Sequence, residues 1–426
     1  MSGGNAGEFV LETESDRLIG RNNRMRYNST SSNRAFSRPS FLQGMMGAAF
    51  AVTLAASPGH AADPIKIGLV TALSGQSARA GEALTRGATI AIEEINAKGG
   101  VLGRPLELVR RDDESNPAKG LIAARELIQR EKVSALLGGL DTPVALAIVP
   151  FVNNAKMPFV VPWAAGTNIT QNGAADNFVF RVSAMDDEVD KAIVQFARKT
   201  YDTKKPGLIL VNNPWGESNE HGLKAAMKAS GTEPAGIEKF EGNDVDVVPQ
   251  LSRLKQAGAD TLFLVGNVGP ASQVVKSLDR MGWAPPIVSH WGPAGGRFTE
   301  LAGPNAKNVI FVQTYSFFGD LSPVGKKVIA ALQAKYPDIK GPADITPAVG
   351  VANAYDSVLV IAKAIEKAGK AEPVAIRDGF YAIDRVDGLI KTYDKPFTKT
   401  KHDALTESDY IWTRFEDNHI LPFVKK

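Results

Sequence analysis

Ile65-Lys66-Ile67-Gly68-Leu69-Val70 is an apolar, β-branched run that ends in the polar loop Thr71-Ala72-Leu73-Ser74-Gly75-Gln76-Ser77 and gives way to a helical stretch over 82–98. In that stretch Leu84, Ala88, Ala91, Ile92 and Ile95 share one face, so the apolar period changes from strand to helix across a single loop. The switch repeats: strands at 106–110, 135–137 and 159–161 alternate with helices at 117–130 and 143–155. A second set comes after the strand at 178–182, with helices at 187–200, 218–229 and 271–281 between strands at 207–211, 261–265 and 286–289. Another strand at 309–314, helices at 323–335 and 348–367, and a tail strand at 409–415 containing Trp412 complete the pattern. Such alternation predicts an α/β chain whose parallel sheets carry helices on both faces.

The residues before this run have a different composition. Arg21, Arg24, Arg26, Arg34 and Arg38 precede an apolar, small-residue stretch at 45–56 and then Ser57-Pro58-Gly59-His60-Ala61. That order reads as a secretory signal peptide, residues 1–61, cleaved after Ala61. The apolar stretch is far short of the ~20 residues a membrane-spanning helix needs. Residues 1–24 have no periodicity, and Met25 is the preferred start because it keeps the basic residues. The chain beyond Ala61 has roughly 365 residues, too many for one ordinary core and suited to two domains.

Net charge is +3 for the whole chain and nearer neutral without the basic leader, so no electrostatic footprint for nucleic acid or an anionic membrane exists. There is no cysteine, which removes disulfides, zinc thiolates, a thiol nucleophile and a lipoprotein anchor together. No P-loop, GxGxxG or GxSxG string is present, and Thr71 to Gly75 lacks the glycine fingerprint that a dehydrogenase needs after its first strand. His221, His290, His402 and His419 lack metal-ligand spacing. Asp112-Asp113-Glu114 lies just before Asn116-Pro117, where acids and caps belong to a helix start rather than a metal site. The expectation is a non-enzymatic protein without cofactor or metal.

Ligands of open α/β sheets sit outside the carboxyl ends of the strands. Three tryptophans fall there: Trp163 after the strand at 159–161, Trp215 in the loop after 207–211, and Trp291 after Val288-Ser289-His290. Each is a packing residue or part of a stacking wall, and three together favour the wall. Asp141-Thr142-Pro143 opens a helix, with Thr142 as expected N-cap and its free N–H groups offered to a carboxylate. Ser74 and Arg79 form a second polar lip, and His290 either donates to a ligand or lines the wall.

The string at 65–70 with Leu73-Ser74-Gly75, continuing through Ile95-Asn96-Ala97-Lys98-Gly99-Gly100-Val101-Leu102-Gly103-Arg104-Pro105 to Asp112-Asp113, resembles the leucine/isoleucine/valine-binding proteins. Tyr355-Asp356 matches a later helix of that family, type I periplasmic binding proteins that serve ABC importers. The resemblance implies two Rossmann-like three-layer lobes joined by a three-crossing hinge near 181–183, 312–315 and 391–398. One lobe then comprises 62–182 with 314–392, the other 183–313 with 393–426. It implies ligand groups at Thr142, Trp163, Ala165, Thr167, Trp215, Asn267 and Trp291.

One departure bears on the ligand. Where the family holds the ligand's amino group with an acid, the loop reads His290-Trp291-Gly292-Pro293. An unpaired ammonium is costly to desolvate, so the expected ligand is a small carboxylate, amino acid-like or aromatic, with a flat acid favoured over leucine. The same indoles would alternatively cage a quaternary ammonium or take an amide. The implied partners are this small molecule and the permease and ATPase subunits of an inner-membrane importer, with a monomeric periplasmic carrier delivering the ligand. A periplasmic sensor is the other reading.

Overall fold

The computed structural model describes residues 63–424; the expected leader and its cleavage point lie outside them. The chain runs β1 (Ile65–Thr71), α1 (Ala78–Ala97), β2 (Leu106–Asp112), α2 (Pro117–Gln129), β3 (Ala135–Gly138), α3 (Thr142–Ala155), β4 (Phe159–Val161) and β5 (Val179–Arg181). It continues through α4 (Asp186–Tyr201), β6 (Pro206–Val211), α5 (Pro214–Ala229), β7 (Gly236–Phe240), α6 (Val248–Gln256), β8 (Thr261–Val265), α7 (Val268–Arg280), β9 (Ile287–Ser289), α8 (Phe298–Ala302) and β10 (Val309–Gln313). The remainder is α9 (Pro323–Lys335), α10 (Ala348–Ala368), α11 (Pro373–Tyr381), β11 (Arg385–Asp387), β12 (Thr392–Asp394), β13 (Ile411–Glu416) and β14 (His419–Pro422).

These elements form two doubly wound lobes. The first sheet is ordered β2-β1-β3-β4-β5 and all its pairs are parallel. The second is ordered β14-β13-β10-β9-β8-β6-β7, parallel from β10 to β7 and antiparallel at the β13-β14 edge. In each, the strand order reverses next to the first strand, between β1 and β3 and between β6 and β8, which is where an open sheet leaves a crevice. Strands covered on both faces read as continuous apolar runs, and β3, β6 and β8 are buried throughout.

Helix α10 is long and apolar enough to cross a membrane, yet 83% of that window is buried inside the molecule, so it is a core helix. Gly87 lets α1 lie directly on it: a Cβ there would come within 2.1 Å of the Val351 carbonyl oxygen. Asn353 then ties α10 to β4 through the Pro162 carbonyl (2.9 Å) and accepts from the Thr314 hydroxyl (2.8 Å) beyond β10.

The chain passes between lobes after β5, after β10 and before β13. The third passage falls later than 391–398: β12 pairs with β11, and the Asp356 carboxylate accepts from the Tyr393 hydroxyl at 2.7 Å. The chain then runs along β5, where Arg181 N–H donates to His402 O (2.8 Å) and Ala404 N–H to Arg181 O (2.9 Å). Fully buried Arg181 fastens this junction, pairing with Asp403 (2.6 Å) and donating to Gly166 O (2.9 Å) and the Thr170 hydroxyl (2.8 Å). Removing one partner of a buried pair strands the other, so Arg181→Met should cost about 3–5 kcal/mol in urea unfolding. Arg181→Met with Asp403→Leu should recover part of that loss; a single variant as stable as the parent would contradict this account.

Candidate functional site

A cavity of about 400 Å³ lies where the two lobes meet, and every stretch lining it comes after a strand end. Gln76 and Ser77 follow β1, Glu114 and Ser115 follow β2, Leu140 follows β3 and Trp163 follows β4. From the other lobe come Asn213 after β6, Gly242 after β7, Asn267 and Val268 after β8, and Gly292 after β9. Parallel strands followed by helices put helix N-termini on this edge, and both switch points open onto the same space.

The three tryptophans come together as one aromatic row that crosses the seam. Trp163 of the first lobe packs on Trp291 of the second (centroids 5.7 Å), and His290 stands edge-on to both Trp291 (5.2 Å) and Trp215 (5.1 Å). All four rings are buried, and of them only Trp163 borders the cavity. Trp215 sits behind Gly292, where a Cβ would lie 3.1 Å from the indole and 2.0 Å from the Gly266 carbonyl oxygen. Trp215 is not in a loop: it lies in the first turn of α5, whose cap Asn213 accepts from the Trp215 and Gly216 N–H groups (2.9 and 3.1 Å). Gly216, whose Cβ would fall 1.7 Å from Val211 O, lets the helix begin directly on the strand end.

Behind this row lies an acid that the loop at 290–293 does not announce. Asp186, fully buried at the start of α4, accepts from Trp215 Nε1 at 3.2 Å. His290 Nδ1 accepts from the Trp291 N–H (2.8 Å), which leaves the proton on Nε2. Nε2 lies 3.0 Å from the same Asp186 oxygen, at ion-pair distance but out of line for a hydrogen bond. Asp190, one turn along α4, has neither oxygen hydrogen-bonded, and burial together with the Asp186 charge holds it well above the carboxylate range. The run Asp186-Asp187-Glu188 reads as helix-start acids, and no spacing in the sequence tells that His290 comes over it.

Thr142 is the first residue of α3 rather than its cap; Asp141 holds the cap position. The Thr142 hydroxyl accepts from the Gly166 N–H at 3.3 Å. Ala165 O accepts from the Asp186 N–H (2.8 Å), and the Thr167 N–H donates across the seam to the Ser218 hydroxyl (3.1 Å). Thr142, Ala165 and Thr167 thus make the strap that joins α3 to α4 and α5. Ser74 and Arg79 are exposed and do not line this cavity. Ser74 pairs with Asp112, whereas Arg79 faces a separate hollow with Arg86 and Arg297.

Among the described residues, six α-helices begin with a serine, asparagine or aspartate at the cap. Asn116, Asn213 and Ser322 accept from first-turn N–H groups as caps do. Ser77, Asp141 and Asn267 make no such bond, and these are the starts of α1, α3 and α7 at the seam. The Asn267 amide instead donates to Asp141 Oδ1 of the other lobe at 2.8 Å.

Glu114 is on the near wall of the cavity, and Asp112, Asp113 and Asp141 lie close behind it in sequence or contact. Burial, with the charges of Asp141 and Asp112 adding to it, pushes Asp113 up to about 7 against a backbone hydrogen bond from Ser115. Burial also raises Asp141, against the pull of Ser115 and Asn267. The carboxylates of Asp112 and Asp113 accept from N–H groups of the turn at 114–115.

Two doubly wound lobes meeting along their strand ends around a shared cavity define a type I periplasmic binding protein. Residues 64–418 match the model of the periplasmic binding protein family, and the chain belongs to that family, whose members are solute-binding proteins rather than enzymes. It is 27% identical over 335 residues to the leucine-, isoleucine-, valine-, threonine- and alanine-binding protein of Pseudomonas aeruginosa, covering 79% of this chain and 87% of that one. A branched-chain amino acid transporter substrate-binding protein from Streptococcus pneumoniae, solved with isoleucine, superposes with a TM-score of 0.71 at 24% identity over 84% of this chain and 99% of that one. An ABC-transporter solute-binding protein from Rhodopseudomonas palustris, solved with 4-hydroxybenzoate, gives 0.72 at 23% identity over 85% and 96%.

The raised carboxyl of Asp113 makes a pH prediction. An unfolded aspartate titrates near ~3.9. Between there and about 7 the folded chain holds a proton that the unfolded chain has released, so this group's contribution falls as pH rises through that window. Asp113→Asn should therefore gain stability over the parent at pH 8 and little at pH 4, read from urea midpoints. A gain independent of pH would contradict the assignment.

Proposed function

We propose that this chain is the periplasmic carrier of a branched-chain amino acid type ABC importer, closing its lobes over one small carboxylate in the seam cavity. The observation that carries the reading is the cavity itself: about 400 Å³, walled by both lobes, with one indole on its side and uncapped helix starts around it. Helix starts favour an anion, and Trp163 offers a face to a flat or branched apolar group. Glu114 on the wall, with Asp113 and Asp141 behind it, favours a ligand that also carries a donor such as an ammonium or hydroxyl. Amino acids and hydroxylated aromatic acids have both features, and the isoleucine and 4-hydroxybenzoate complexes of fold neighbours support each.

Asp186 is walled off from the cavity by the aromatic row, but Glu114 borders it, so the absence of an acid at 290–293 does not by itself argue against an amino-acid ligand. Hinge closure about the three crossings selects the closed form when a ligand touches both lobes. A micromolar ligand needs about −8 kcal/mol, within reach of an anchored carboxylate and a buried ring contact. The closed carrier then docks, as a monomer, on the permease and ATPase assembly of the inner membrane, after export with a leader removed following Ala61.

A thermal-shift screen of the chain without its leader against amino acids, aromatic acids, betaines and amides tests this, because a ligand of the folded state raises the melting temperature. The expected hit is an amino acid or aromatic acid, and Trp163→Ala should weaken it at least tenfold. A betaine as tightest ligand would replace the carboxylate reading with ammonium capture, and unchanged affinity in Trp163→Ala would remove the indole from the site.

A further inference from the structure

We infer that Asp141 and Asn267 form a closure latch, a hydrogen bond between lobes that sets how long the cleft stays shut without itself recognising the ligand. The inference rests on the reading of the seam as a ligand cleft. Asp141 starts α3 in the first lobe and Asn267 starts α7 in the second. Both are residue types that ordinarily turn back to bond their own helix, and neither does. The Asn267 amide donates to Asp141 at 2.8 Å across the seam, and the other partner of that carboxylate is Ser115 of its own lobe.

The position of this bond separates it from the hinge. Other bonds between the lobes lie beside the crossings: Thr167 N–H to Ser218 Oγ belongs to the strap that also meets Asp186 and Asp187 beside the first crossing, and Lys391 pairs with Asp409 beside the third, so a hinge movement leaves them near their places. The side chains of Asp141 and Asn267 bond to no residue of any crossing, and only closure brings them together. Asn267 borders the cavity, but its amide points at Asp141, and Gly269 two residues on leaves room for Gln76 of the facing lobe, whose Oε1 a Cβ there would meet at 2.3 Å. The latch therefore closes the rim over whatever the cavity holds, and its loss acts on release rather than on selectivity.

Exchange of the two side chains tests this. Asn267→Asp opposes two carboxylates, and Asp141→Asn combined with Asn267→Asp rebuilds the bond with donor and acceptor reversed. Stopped-flow binding of two chemically different hits from the thermal screen should show release at least tenfold faster in Asn267→Asp for both ligands, with association nearly unchanged. In the exchanged double variant, release should return to within about threefold of the parent rate. If the double variant stays fast, or if only one ligand is affected, Asn267 acts on the ligand and the latch is wrong while the cleft stands. If the parent chain binds none of the panel, the cleft reading falls and the latch with it.

Discussion

Parallel strands deliver their carboxyl ends, and the amino ends of the helices after them, to one edge of a sheet. Two such edges face each other here, and the geometry of the seam results from that opposition. The loops after β1 to β4 and after β6 to β9 have nowhere to go but into the shared space, so the cavity wall is assembled from eight short segments distant in sequence. Backbone N–H groups at the first turns of α1, α3 and α7 accumulate there without side-chain caps. The same edge that makes two lobes pack would suit them to the polar guest proposed above.

The aromatic row and the buried acids are the second layer of this design. Trp163, Trp291, His290 and Trp215 form a continuous wall through the seam, with Asp186 holding the far end by Trp215 Nε1. Only the first indole meets the cavity; the others pack behind it, with His290 edge-on to both Trp291 and Trp215. The Trp163–Trp291 contact joins the two lobes, so the wall is built from both.

The alternation of strand and helix is legible in the sequence because a doubly covered parallel sheet needs near-continuous apolar strands, and the run at 65–70 is one. The convergence of the tryptophans is legible for the same reason: each comes after a strand, and strand ends share an edge. The features that escape the sequence belong to long-range geometry. Asp186 looks like any helix-start acid until β9 carries His290 over it. Asp141 and Thr142 are both capping residues, and local sequence does not say that Asp141 takes the cap position and bonds across the seam. Arg79 has the chemistry of an anion anchor, but it borders a separate hollow while Gln76, Ser77 and Ala80 on either side of it line the cavity. The edge strand β7 and helix α6 are short and only partly buried, so their apolar period is too weak to register.

The most direct measurement is a crystal structure of the chain with its tightest small-molecule ligand. The account predicts the ligand enclosed between the lobes, its flat or branched group against Trp163 and its carboxylate at the starts of α1, α3 and α7. A ligand seated instead in the larger hollow of about 830 Å³ beside Arg377 and His402, with the seam empty, would contradict it.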